Sequence, residues 1–279
     1  MLYTDSQLTE SADVVYSTRA NPTGQQYVSD ATKSADRSSA TLALTMDIWV
    51  PPNATASAPQ PLIIHIHGGG FVAGSKQARA GSAMSYARAG YVAATINYRL
   101  TANNTATPAT RIAAITSADE DLMNAIRFLK ANAAQYHIDP TRIATIGGSA
   151  GGGLSLINAV QYDDVDNVVS DFPGVSSKVN AAISSGATLV STDVGYDSDD
   201  YLQYDASDSP VLLFHANPVD PSTGATWTDN VLPTQQRIND SGNTCTAIQT
   251  PADEHVVDMD VEGAYWSTIQ PFLATQLRL

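Results

Sequence analysis

The chain has 279 residues, 43% hydrophobic and 15% charged, a balance that provides for an ample core and excludes disorder. Its 28 acidic side chains outnumber the 14 basic ones, for a net charge of −14; this repels nucleic acid and anionic membrane surfaces, and no basic cluster compensates. The single cysteine, Cys245, excludes an intrachain disulfide framework and a cysteine-based metal site, and no stretch approaches the ~20 apolar residues of a membrane span.

In chain order, Val14–Tyr16 and Leu42–Val50 read as strands, the second with alternating apolar positions that Pro51-Pro52 bring to an end. Leu62–Ile66 is apolar apart from His65, the mark of a central parallel strand covered on both faces. A loop, His67-Gly68-Gly69-Gly70-Phe71, leads to a helix near Ala80–Ala89 that Gly90 caps, and Tyr91–Asn97 is another buried strand. Ala118, Leu122, Ile126 and Leu129 form one helical stripe, which predicts a helix over Thr116–Ala134. Asp139-Pro140 turns the chain into the next strand. Val179–Gly186, Pro210–His215 and Cys245–Gln249 supply three more strands, with Cys245 buried, and Gly263–Leu277 closes the chain as a helix that Pro271 kinks or splits. Strands alternating with helices predict a single α/β domain over residues 1–279, a mostly parallel sheet with helices on both faces.

The most informative stretch is Arg142–Leu156. Ile143–Ile146 is a short strand, Gly147-Gly148-Ser149-Ala150-Gly151 fits G-x-S-x-G, and Leu154 and Ile157 open a helical face. A strand, a tight turn and a helix with serine at the apex make a nucleophile elbow. The pentapeptide alone arises by chance in roughly one chain in ten of this size, so its context matters. A serine hydroxyl needs a base, and the base an orienting acid, which in this arrangement follow in the order Ser, Asp or Glu, His. Of the five histidines, His65, His67 and His137 precede Ser149, and His215 lies at a strand end. His255 follows the last strand, on the loop edge where open α/β sheets meet their ligands, and is assigned as the base. Asp220, just beyond Val211–His215, is the first choice for the acid, with Asp229 the alternative. Asp253 and Glu254 are too near His255 in sequence for that role.

His67-Gly68-Gly69-Gly70 completes the pattern. The tetrahedral intermediate of acyl transfer places negative charge on the former carbonyl oxygen and needs prepositioned N–H donors. The amides of Gly69, Gly70 and Ala150 are the expected oxyanion hole.

These motifs, with Asn97-Tyr98-Arg99-Leu100 and Asp139-Pro140-Thr141-Arg142-Ile143 in the same order and spacing, resemble those of α/β-hydrolase carboxylesterases of the hormone-sensitive-lipase-like and feruloyl-esterase-like groups. The resemblance is strongest over Thr41–Val160. It implies an eight-stranded sheet, no cofactor or metal, and hydrolysis of short acyl esters. Gly148 departs from the Asp common in the lipase-like group, and the loop holding Asp220 is longer than the usual H-G-x-x-D form.

The segments Gln161–Val175 and Thr192–Asp208 are rich in Asp and Tyr and unsuited to a large apolar lid, so the expected site is open and takes small or surface-presented esters. Phe71 is placed on the acyl side and Trp227 or Tyr201 on the alcohol side, with packing the competing role for each. Tyr98 and Arg99 are expected to be structural. Nucleic acid and membrane insertion are excluded as partners, and oligomeric state is left open. The first residues show no signal-peptide pattern, while few lysines and the acidic balance favour an exported or salt-tolerant protein. Asn53-Ala54-Thr55 and Asn103-Asn104-Thr105 are formal glycosylation sequons.

Overall fold

A computed structural model describes residues 1–101, 107–163, 170–190 and 202–279. Eight strands form one sheet: β1 (Thr9–Ala20), β2 (Thr41–Val50), β3 (Gln60–Ile66), β4 (Val92–Ile96), β5 (Ile138–Gly148), β6 (Ala181–Ser185), β7 (Val211–Ala216) and β8 (Cys245–Thr250). Their order is β1-β2-β4-β3-β5-β6-β7-β8. β1 pairs antiparallel with β2, and β2 with β4; from β4 to β8 every pairing is parallel. The mostly parallel eight-stranded sheet expected from the sequence is present.

Burial on both faces explains why the central strands read as apolar runs. On β3, Leu62, Ile64 and Ile66 pack toward α2 (Pro108–Ala131) and Leu154 of α3 (Ala150–Val160). Ile63 points the other way, into a core shared with α1 (Ala80–Arg88) and α5 (Trp266–Gln276). A third apolar cluster joins α3, β7 and α4 (Leu232–Asp240). Cys245 is buried in it, and burial pushes its thiol up to about 12.

Two elements differ from the sequence reading. Helix α2 begins eight residues earlier than the stripe suggests, with Thr107 accepting the Thr110 amide at 3.2 Å as a cap and Pro108 opening the first turn. Its first two turns carry Ile112 and Ile115, which line a cavity, and Ile115 also packs against the core cluster that holds Ala118, Leu122, Ile126 and Leu129. Pro271 does not split the last helix; α5 continues through it. Among the described residues no helix is long and apolar enough to cross a membrane. The Asn53 side chain donates to the Gly90 carbonyl at 3.0 Å, so its amide nitrogen is engaged. The second sequon, at Asn103, lies outside the described residues.

His65 is the one polar interruption of β3. Its ring is 2% exposed and packs edge-on against Tyr86 at 4.9 Å. Burial first, and the Arg79 cation second, lower its pKa from 6.5 to about 3. Folding therefore favours the neutral ring. That stabilisation is complete above the unfolded value near 6.5 and is lost as pH falls toward 3, by about 1.4 kcal/mol per pH unit. Urea midpoints taken from about pH 7 to about pH 4 should fall more steeply for the wild type than for His65→Leu; equal slopes would contradict this account.

Candidate active site

Strand β5 lies between β3 and β6, and the chain reverses at Ser149 directly into α3. Ser149 adopts φ 55° and ψ −126°, a left-handed φ that costs a non-glycine residue of order 1–3 kcal/mol unless its surroundings impose it. Here they do. The Ser149 amide donates to the Ser185 carbonyl at 2.8 Å, and the Ser149 carbonyl accepts from the Gly153 amide at 2.9 Å. A Cβ at Gly147 would lie 2.1 Å from the Gly151 carbonyl oxygen, and one at Gly151 would lie 2.3 Å from that of Ile66. Only glycine fits at either place. At Gly148 a Cβ would come within 2.5 Å of Arg79 Nη2 and of Val256 Cγ1, so this chain fills with those two side chains the space that an Asp would need.

Asp220 follows β7, and its carboxylate is fully buried. Oδ1 accepts the amides of Ser222 at 2.9 Å and Thr223 at 2.8 Å, with the Thr223 hydroxyl at 3.0 Å. Oδ2 accepts from His255 Nδ1 at 2.8 Å. Burial raises the carboxyl pKa, but the His255 contact and the two amides outweigh it and hold the group below the usual carboxylate range. An ionised carboxylate can only accept, so Nδ1 of His255 carries a proton and donates it to Asp220. Asp229 takes no part: it is exposed and accepts from the Thr226 hydroxyl at 2.9 Å in a local turn. Glu254 accepts from Tyr265 at 3.1 Å.

The loop that carries His255 is seated on the end of β6. The Val257 amide donates to Ser185 Oγ at 3.0 Å. Gly186, at φ 68°, lies so close beneath that a Cβ there would sit 2.1 Å from the His255 carbonyl oxygen. Neither Ser185 nor Gly186 stood out in the sequence; a glycine closing a buried strand was the only available signal.

The loop His67–Phe71 leaves the end of β3 beside Ser149. The Tyr98 hydroxyl donates to the His67 carbonyl at 2.8 Å, and the two rings stack at 4.2 Å. The Thr101 amide donates to the Phe71 carbonyl at 2.9 Å, holding Phe71 at φ 66°. Arg99 is pinned by Asp121 and Glu120, each at 2.8 Å. Tyr98 and Arg99 are thus structural, as expected. Gly69 turns the chain at φ 113°, where its carbonyl accepts the amides of Val72 and Ala73. Among the described residues the amides of Gly69, Gly70 and Ala150 donate to no protein acceptor.

Ser149 and His255 open onto one cavity of about 430 Å³, together with Gly70, Phe71 and Ala150. Among the described residues the Ser149 hydroxyl and the His255 ring are not joined by a hydrogen bond; in unliganded sites such bonds are often long and tighten only around substrate. His215 also reaches the cavity from β7. Its ring is buried, its Nδ1 proton goes to the Ala216 carbonyl at 3.1 Å, and burial lowers its pKa. Phe71 both lines the cavity and packs in the core, whereas Trp227 belongs to the third apolar cluster rather than to the cavity wall. Tyr201 lies outside the described residues, as do parts of both segments considered as a lid.

Known proteins resemble this chain in sequence and in fold. It is 33% identical over 139 residues to the probable carboxylic ester hydrolase LipM of Mycobacterium tuberculosis, covering 50% of this chain and 30% of that protein. It is 27% identical over 146 residues to endo-1,4-β-xylanase B of Butyrivibrio fibrisolvens, covering 52% and 20%. The chain thus spans less than a third of the length of these relatives. A truncated carbohydrate esterase from gut microbiota superposes with a TM-score of 0.70 at 19% identity, over 99% of both chains. Propionate-bound esterase 2 of Thermogutta terrifontis superposes at 0.68 with 21% identity, over 90% of this chain and 94% of the other. The fold is that of the α/β-hydrolases. The BD-FAE family model matches residues 46–192, more than half of the sequence, and the chain belongs to that family, among the α/β-hydrolase carboxylesterases whose motifs it resembles.

Proposed function

We propose that this protein, read as one domain over residues 1–279, is a serine esterase that hydrolyses small acyl esters through an acyl-enzyme. The observation that carries the reading is the 2.8 Å bond from His255 Nδ1 to the buried Asp220 carboxylate, in a cavity that also holds the strained Ser149 turn. In this reading Asp220 orients the imidazole, and His255 Nε2 takes the Ser149 proton as the hydroxyl oxygen attacks the ester carbonyl. Negative charge gathers on the carbonyl oxygen, within reach of the amides of Gly69, Gly70 and Ala150 at the positive end of α3. Each such donor contributes about 3–4 kcal/mol to the transition state. His255 then gives its proton to the departing alcohol. A water molecule, deprotonated by the same ring, releases the acid and restores Ser149.

Cavity size supports a small acyl group: about 430 Å³ is near the lower end for ligand sites. Propionate and butyrate occupy the Thermogutta terrifontis esterase 2 structures. Feruloyl or acetyl-xylan esterase activity is the second reading, favoured by the likeness to the gut carbohydrate esterase along the whole chain and to part of xylanase B. A polyester hydrolase would use the same chemistry.

Three outcomes are expected. A fluorophosphonate probe should label the wild type and leave Ser149→Ala unlabelled, with Ser149→Ala lowering kcat by roughly 10⁴-fold or more; an unlabelled wild type would make this a non-catalytic binding module. Asp220→Asn should lower kcat by roughly 10³- to 10⁴-fold through the wrong imidazole tautomer, while Asp229→Asn leaves it within about twofold, as measured by initial rates. Across p-nitrophenyl esters from acetate to palmitate, kcat/KM should peak at the short acids, and a maximum at palmitate would overturn the small-acyl assignment.

A further inference from the structure

Among the described residues the charged side chain lining the cavity, Arg111, has the opposite sign to the net charge of the chain. Acidic side chains outnumber basic ones two to one, 28 to 14. Yet among the described residues no Asp or Glu lines the cavity, and Arg111 is its one arginine or lysine. Arg111 lies in the first turns of α2, half-buried. The neighbouring walls are apolar, including Phe71, Ile112, Ile115, Ile157 and Leu189.

Other arginines of this chain find carboxylates. Arg88 pairs with Asp5, Arg99 with Asp121 and Glu120, Arg127 with Asp163, and Arg142 with Asp139. Among the described residues Arg111 has no ion pair, although acids are plentiful in the sequence. A guanidinium held against apolar walls loses hydration and gains nothing in return unless an anion arrives. Its planar fork matches a carboxylate in two parallel hydrogen bonds. A chain of net charge −14 disfavours anionic substrates at long range, and a cation in the cavity lining counters that locally.

We propose that Arg111 is a specificity residue that binds a carboxylate on the substrate, so that the preferred esters carry a negative charge a few bonds from the scissile carbonyl. This rests on the serine esterase reading of the same cavity. The carboxylate belongs to the acid or to the alcohol half of the ester, and two matched pairs separate these cases. Monoethyl glutarate against ethyl pentanoate places the charge on the acyl side. 4-Acetoxybenzoate against 4-acetoxybenzamide places it on the leaving group.

The test is the ratio of kcat/KM for the anionic over the neutral member of each pair, in wild type, Arg111→Met, Arg111→Gln and Arg111→Lys, with melting temperatures to establish folding. In one pair the wild type should favour the anionic ester. Arg111→Met and Arg111→Gln should lower that ratio about tenfold, chiefly through KM of the anionic ester, and Arg111→Lys should restore much of it. A wild type that favours the neutral ester in both pairs overturns the inference, as do ratios that stay within twofold in folded Arg111→Met. The neutral esters keep the two claims apart: if they are cleaved and the ratios do not respond, Arg111 alone is misassigned. If the wild type cleaves no ester of either pair, the esterase reading falls with it.

Discussion

The site depends on one close approach of backbone to backbone. Helix α3 starts so near the end of β3 that a single methyl at Gly151 would sit 2.3 Å from the Ile66 carbonyl oxygen and 2.6 Å from that of His67. That contact sets the Ser149 turn and the glycine loop side by side. It also forces Ser149 into its left-handed conformation, because the chain must reverse within a few residues to reach the helix. With side chains at these positions the two segments would stand apart. Packing density, rather than any single hydrogen bond, is what brings them together.

Around that contact the polar groups form two supports. One is the Tyr98–Thr101 segment after β4, where the Tyr98 hydroxyl, the stacked His67 ring and the Thr101 amide hold the glycine loop. The other is the end of β6, where Ser185 bonds both the Ser149 amide through its carbonyl and the Val257 amide through its hydroxyl. Ser185 thus sets the spacing between the Ser149 turn and the loop that carries His255. Gly186 lets that loop lie flat on the sheet edge. Each support is a bond from one strand end to its neighbour's loop, which is why the parallel β3-β5-β6-β7-β8 order matters to the chemistry.

The electrostatics follow from the same arrangement. The Asp220 carboxylate is fully buried, a costly state for a charge without partners. Two amides, a hydroxyl and the His255 ring meet it, and their combined effect keeps it ionised against the pull of burial. For two histidines deeper in the core burial prevails, lowering His65 to about 3 and His67 to about 4.

Local patterns were enough to reveal the alternating strands and helices, the reversal at Ser149, the glycine loop after β3 and the position of His255 beyond β8. Each of these is written in a few consecutive residues whose periodicity or turn chemistry has one reading. Three-dimensional packing decided the rest. Asp220 and Asp229 both follow β7 and are chemically identical; what separates them is that one carboxylate is folded back by the amides of its own turn onto His255, while the other stays exposed beside Thr226. The early start of α2 was hidden because its first turns are more exposed than the core stripe, with Ile112 and Ile115 lining a cavity that exists only once the helix is docked. Ser185 and Gly186 are ordinary residues in the chain and acquire their importance only from the segments that settle on them. A sequence records which groups can meet, but distance between remote segments is a property of the packed chain.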